Sequence, residues 1–259
     1  MATIAPAPPP LSTSAPAVER WRATRWTAWL VGCVLCGGLL GLALGIAGAV
    51  RGTRPPRRRV LLVVAGVVAQ LMCAGYFVVA TVSAGPATCP TAARTDSSGD
   101  PWHGVRTAIN APVSGAAMLY STVVGGQPCR VANEGITVTA VPSGYARGGT
   151  IYGTIFLTDR TSKKASARIA RLSEHEARHA SQWAVATLLA GPITFPALYA
   201  TDESLFPGAH NHFEQQAGLA DGGYAVPPDD PPAVGRLLFL VVGLVTGYLI
   251  AARRRSRKT

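Results

Sequence analysis

"SEHEARHASQW", residues 173–183, sets His175 and His179 four positions apart, with Glu176 directly after the first. Four positions is close to one helical turn, so on a helix both imidazoles face one way and offer two nitrogens to a single point. The flanking residues predict that helix. From about Ser162 to Ala190 there is no proline or glycine, and Gly191-Pro192 supplies a stop. Ile169, Leu172, Trp183, Ala186 and Leu189 recur at spacings that form one stripe, and both histidines fall on it. Lys164, Arg168, Arg171, Glu174 and Arg178 line the opposite face. A carboxylate carried inward with two histidines is costly unless it is paired or near a metal. In H-E-x-x-H the histidines hold zinc, and the glutamate takes a proton from water and later passes it to a leaving amine.

Catalytic zinc keeps three protein ligands, so one is still to be found. Downstream, "NHFEQQAGLADGGY" (211–224) offers Glu214 in a short helix-like segment, with His210 and His212 as rivals. Tyr199 and Tyr224 are candidate donors to a developing oxyanion, and spacing does not choose between them. Over residues 172–224 the chain resembles the gluzincin metallopeptidases, in particular membrane-bound ones. In those the third ligand lies in a segment resembling F-E-x-x-A, matched here by Phe213, Glu214 and Ala217. The resemblance implies a His175, His179, Glu214 zinc site with Glu176 as general base. It departs at Gly218, where such relatives often carry Asp. The carboxylate that orients a ligand histidine is then expected from Asp221 or Glu203. The same resemblance gives "TIYGTIFLT" (150–158) the role of an edge strand that pairs with extended substrate; a plain core strand is the alternative.

Away from the motif, three apolar runs dominate: 29–50, 60–84 and 234–252. A helix crossing the hydrocarbon core needs about 20 apolar residues, and each run is read as a span. The first is too long for a secretory signal, and no small-residue cleavage site follows it. Residues 1–28, headed by "MATIAPAPPPLSTSAPAV", are read as a disordered tail. The 51–59 loop and the 253–259 tail are basic.

The net charge of +11 is no nucleic-acid footprint. Residues 85–233 are near neutral, and the excess flanks the spans. The short 51–59 loop and the C-terminal tail carry most of it, which puts both in the cytoplasm and 85–233 outside. Arg20, Arg22 and Arg25 then lie on the outer side, against the rule. Cys89 and Cys129, alone in the outer region, suggest a disulfide there. "CVLC" (33–36) has redox spacing but lies inside an expected span.

The expected architecture is α+β: a small zincin-like metallopeptidase domain, 85–233, inserted between transmembrane helices of a multi-pass cell-membrane protein. Its strands are expected at 136–141 and 150–158, followed by the metal helix. The expected function is hydrolysis of protein or peptide substrates by a zinc-activated water. An intramembrane metalloprotease, a non-catalytic metal-binding envelope protein and a transporter component remain as alternatives; the last suffers from spans without ionisable residues.

Overall fold

The computed structural model describes residues 15–51, 57–83, 87–88, 102–131, 135–142, 149–158, 166–225, 241 and 243–247. It is mixed helix and sheet, mostly helical. Helices α1 (Ala15–Val50) and α2 (Arg57–Ser83) are long and apolar enough to cross a membrane. Helix α1 already starts at Ala15, so 15–28 is helical and not a disordered tail; Val18–Trp29 holds neither proline nor glycine to stop it. Of the third expected span, 234–252, residue 241 and residues 243–247 are helical, and the rest lies outside the described residues.

Helix α1 is not straight. Gly38, at φ 56° and ψ −148°, breaks it, and the two halves fold back on one another. A Cβ built on Gly41 would stand 2.1 Å from the Cys33 carbonyl oxygen, and one on Gly45 would stand 3.1 Å from Leu30 Cδ2. Residues eight apart in a straight helix are about 12 Å apart. The first apolar run is a helical hairpin.

Five strands form one sheet: β1 (Ala87–Thr88), β2 (Gln127–Val131), β3 (Ile136–Ala140), β4 (Thr150–Tyr152) and β5 (Ile155–Thr158), in the order β1-β2-β3-β5-β4. "TIYGTIFLT" is therefore two strands and not one. Gly153, at φ 63°, turns the chain between them, and Thr150 pairs back onto Leu157. Of these two, β4 lies at an edge of the sheet, while β5 sits between β3 and β4 and is buried along its length.

Side chains on this sheet alternate between two helical layers. Ile136, Val138, Ile151 and Phe156 pack on Ala177, Ala180 and Trp183 of α4 (Ser166–Ala190). Ile155 and Leu157 pack with Phe77 of α2 and with Ala117 and Met118 of α3 (Trp102–Val123). The second half of α2 thus belongs to the core. Gly115 of α3 sits against the Cys73 backbone, where a Cβ would be 1.9 Å from the carbonyl oxygen. After α4, Gly191 at φ 94° ends the helix as expected, and α5 (Thr194–Leu205) leaves at an angle of 115°. A 3-10 turn (Gly208–His210), α6 (His212–Ala217) and α7 (Leu219–Gly222) complete the described fold.

The expected Cys89–Cys129 bridge falls on Cys89, which lies outside the described residues. Cys33, Cys36 and Cys73 are free thiols, as expected of packing residues.

The β4–β5 turn gives the first test. Besides its positive φ, Gly153 leaves only 2.5 Å between a would-be Cβ and Ser114 Oγ, which itself accepts from the Thr154 amide at 2.9 Å. Gly153→Ala is expected to cost about 1–3 kcal/mol of stability. Thermal unfolding in detergent reads this out, and an unchanged midpoint would show the turn to be dispensable.

Candidate metal centre

Helix α4 is clamped from behind before it presents anything in front. Arg106 of α3, 4% exposed, donates from Nη1 to the Ala177 carbonyl at 3.0 Å and to Ser181 Oγ at 3.2 Å. One turn on, Asn110 Nδ2 donates to the Ala180 carbonyl at 2.8 Å. Ala177, Ala180 and Ala184 are buried and small enough for α3 to come this close. Neither Arg106 nor Asn110 was signalled by the motif; a buried Arg and Asn four apart in one helix is the trace they leave in the sequence.

The opposite side of α4 brings three of the expected site residues together. His175 Nε2 lies 3.0 Å from His179 Nε2 and 3.0 Å from Glu214 Oε2, and His179 Nε2 lies 3.5 Å from that same oxygen. Tetrahedral zinc with bonds of about 2.0–2.1 Å needs its ligand atoms about 3.3 Å apart. All three residues are buried. Among the described residues this is the only group of His, Cys, Asp or Glu spaced to hold a metal ion.

The protons point the wrong way for any partner other than a cation. His175 Nδ1 is 3.0 Å from the Gly218 carbonyl, an acceptor only, so Nδ1 carries the hydrogen. His179 Nδ1 is 2.7 Å from Gln182 Oε1, and Gln182 Nε2 donates to the Phe213 carbonyl at 3.1 Å, which fixes that amide's orientation. Both Nε2 atoms are then lone pairs, facing a carboxylate oxygen that is buried and without a hydrogen-bond donor. Three converging lone pairs call for a metal ion or a shared proton.

A proton shared between an imidazole and Glu214 is one way to meet that demand, and the charges around the site favour it. Burial pulls the His175 pKa down. The hydrogen bond to Glu214, the charges of Glu176 and Glu214 and the Gly218 carbonyl outweigh it and raise the pKa above the ordinary value. Burial pushes Glu214 up, but hydrogen bonds with His175, His179 and Tyr199 hold it well below the usual carboxylate range.

Short segments place Glu214. The fully buried Asn211 caps α6, its Oδ1 accepting from the Phe213 amide at 2.9 Å. Arg178 donates to the Ala217 carbonyl at 2.6 Å and to Asp221 Oδ2 at 2.8 Å, tying α6 and α7 to α4. Tyr199 Oη donates to Glu214 Oε1, which leaves Oε2 to the histidines. Of the two tyrosines considered for an oxyanion, Tyr199 is thus engaged with a ligand, while Tyr224 lines the cavity beside His175.

Several expectations are corrected here. Neither Asp221 nor Glu203 is the partner of His175 Nδ1 or His179 Nδ1. Asp221 pairs with Arg178, and Glu203 accepts from the Gly208 amide and from Asn211 Nδ2. The orienting acceptors are the Gly218 carbonyl and Gln182. Gly218, at φ 94°, leaves no room for a side chain, since a Cβ would meet Arg178 Nη1 at 2.5 Å. The rival ligands stand apart: His212 pairs with Asp202 at 2.9 Å, and His210 lies in the 3-10 turn.

Glu176 is 6% exposed and lines a cavity of about 380 Å³ that also reaches His175, His179 and Glu214. Among the described residues its carboxylate has no hydrogen-bond partner. Burial pushes its pKa up to about 7, against the opposing pull of His179 and His175. Aromatic rings, Trp183, Phe195 and Tyr199, wall the cavity on one side, and β4 borders it on another.

Comparison with known protein families, curated proteins and solved structures yields no match.

The full chain purified in detergent is expected to bind about one zinc, lost in His175→Ala and His179→Ala and kept in His212→Ala. Gly222 packs on the His175 ring, where a Cβ would stand 2.6 Å from Cε1. Gly222→Ala should therefore weaken zinc binding, on the scale of 10–100-fold set by displaced supporting groups. Metal analysis by mass spectrometry decides; stoichiometric zinc in the double mutant His175→Ala/His179→Ala would remove the site.

Proposed function

We propose that the chain is a membrane-anchored, zinc-dependent endopeptidase of the gluzincin kind, its α+β domain zincin-like and acting on protein or peptide substrates. The observation that carries this reading is Glu176: a buried carboxylate with no hydrogen-bond partner among the described residues, lining a cavity beside three converging metal-ligand atoms. His175, His179 and Glu214 would hold the ion. Zinc, when bound, supplies a Lewis acid that makes water acidic near neutral pH. The chain's own part is then proton traffic and positioning. Glu176 accepts the proton of an attacking water and returns it to the leaving amine. Tyr199 and Tyr224 both line the cavity and are the candidates to meet developing charge on the carbonyl oxygen.

An extended peptide fits along β4, the sheet edge that borders the cavity. Trp183 Nε1 already donates to the Ile151 carbonyl at 3.2 Å, so an added strand competes for that oxygen. The charge distribution supports a cytoplasmic 51–59 loop and C-terminal tail with the domain outside. A Cys89–Cys129 disulfide belongs to the same oxidising setting.

One observation favours the second reading, an intramembrane protease: the α4–α5 pair, bent by 115°, meets α1 at its elbow. Cleavage of a soluble peptide by detergent-purified protein supports the first reading; cleavage of membrane-borne substrates only supports the second.

Glu176→Gln keeps the shape and removes the base. Zinc content should stay unchanged while kcat falls about 10²–10⁴-fold. Wild-type turnover by a zinc-loaded Glu176→Gln protein would leave a metal site without this chemistry.

A further inference from the structure

The apolar run Trp26–Val50 has the length and composition of a span but not its shape. The break at Gly38 leaves two arms, 26–37 and 39–50, each about 18 Å long. The hydrocarbon core is about 30 Å thick, so neither arm crosses it. They run back to back: Gly41 against the Cys33 backbone, and Gly45 against Leu30 and Cys33.

A helical break inside a bilayer is tolerated only where protein covers it. Here it is covered on two sides. Cys36 lies on α2, with Sγ 3.5 Å from Gln70 Nε2, which donates to it. The tip also meets the end of α4 backbone to backbone. A Cβ on Gly38 would stand 2.3 Å from the Leu188 carbonyl oxygen, and one on Gly191 would stand 2.2 Å from that of Cys36. Contacts this close need glycine on both sides. Along α2, Gly32 meets Val63 and Cys36 meets Gly66, so the tip lies two to three turns in from the Arg57–Arg59 end.

We propose that Trp26–Val50 is a re-entrant hairpin that enters and leaves the membrane on one face, with its tip meeting the α4–α5 elbow arriving from the other. The partner of its outer surface is lipid; Val31, Leu39, Leu40 and Leu44 are exposed there. The consequence is a change of side for the N-terminus. Arg20, Arg22 and Arg25 join the basic 51–59 loop on one face, and their conflict with the positive-inside rule disappears. This inference does not depend on the peptidase reading, and its test uses no activity.

Two measurements on the full chain in intact cells decide it. Ser12→Cys and Thr53→Cys are probed with a membrane-impermeant thiol reagent, with peptide mapping to separate them from native cysteines. The same labelling class for both is expected; opposite classes overturn the proposal. The second uses the native Cys33 thiol. A Cβ at Gly45 would lie 3.4 Å from Cys33 Cβ, close to the about 3.5–4.5 Å of a disulfide. A straight helix separates these positions by about 18 Å. With a mild permeant oxidant, Gly45→Cys should link to Cys33 within one chain, and thiols that stay fully alkylatable, or link only between chains, overturn the hairpin.

Discussion

Two imidazole nitrogens and one carboxylate oxygen, all presenting lone pairs, are held within 3.5 Å of one another in a buried place. Left alone, such an arrangement is repulsive, and most of the surrounding polar structure serves to impose it. Each histidine gives its one ring hydrogen to an oxygen on the far side, and Tyr199 occupies the other carboxylate oxygen. The acceptors belong to the α6–α7 junction and to α4 itself, so the positions of the two short helices relative to α4 are tied to one set of tautomers. Backbone carbonyls do part of this work where a carboxylate was expected. The Gly218 oxygen fixes His175 without adding a second negative charge.

Such a geometry needs a stiff support, and α4 provides it by being held at many points. Arg106 and Asn110 fasten its back, the sheet packs along one side, Arg178 ties it to α6 and α7, and its last residues touch α1. Small residues set how near each partner comes: alanines toward α3, glycines toward α1 and toward the His175 ring. The helix joins the membrane part to the metal part without an intervening loop.

What could be read from the sequence follows from how local each signal is. The His175–Glu176–His179 spacing, the stop at Gly191-Pro192 and the capped segment bearing Glu214 are short-range patterns, and all three recur as expected. "TIYGTIFLT" misled because periodicity over nine residues hides one glycine of positive φ, and Gly153 was the available clue. Helix α3 left little trace, with Pro112 inside it and polar residues on its buried side. Hydropathy measures length and not direction, so 29–50 counted as one crossing; the adjacent Gly37 and Gly38 were the sign of a turn. Of the two acceptors that orient the ligand histidines, the Gly218 carbonyl is backbone, which no side-chain pattern announces.

The histidine rings are held by contacts of the fold itself. His175 is fixed by an acceptor at one edge and by Gly222 across its ring, and His179 by Gln182 and the neighbouring Phe195 and Tyr199 rings. Much of the entropy lost in ordering the ligands is therefore spent during folding and not at capture. In small zinc domains the ion and the fold arrive together. On the proposed reading the order is reversed here: the fold's own hydrogen bonds would place the ligands, and the ion would join a site already shaped.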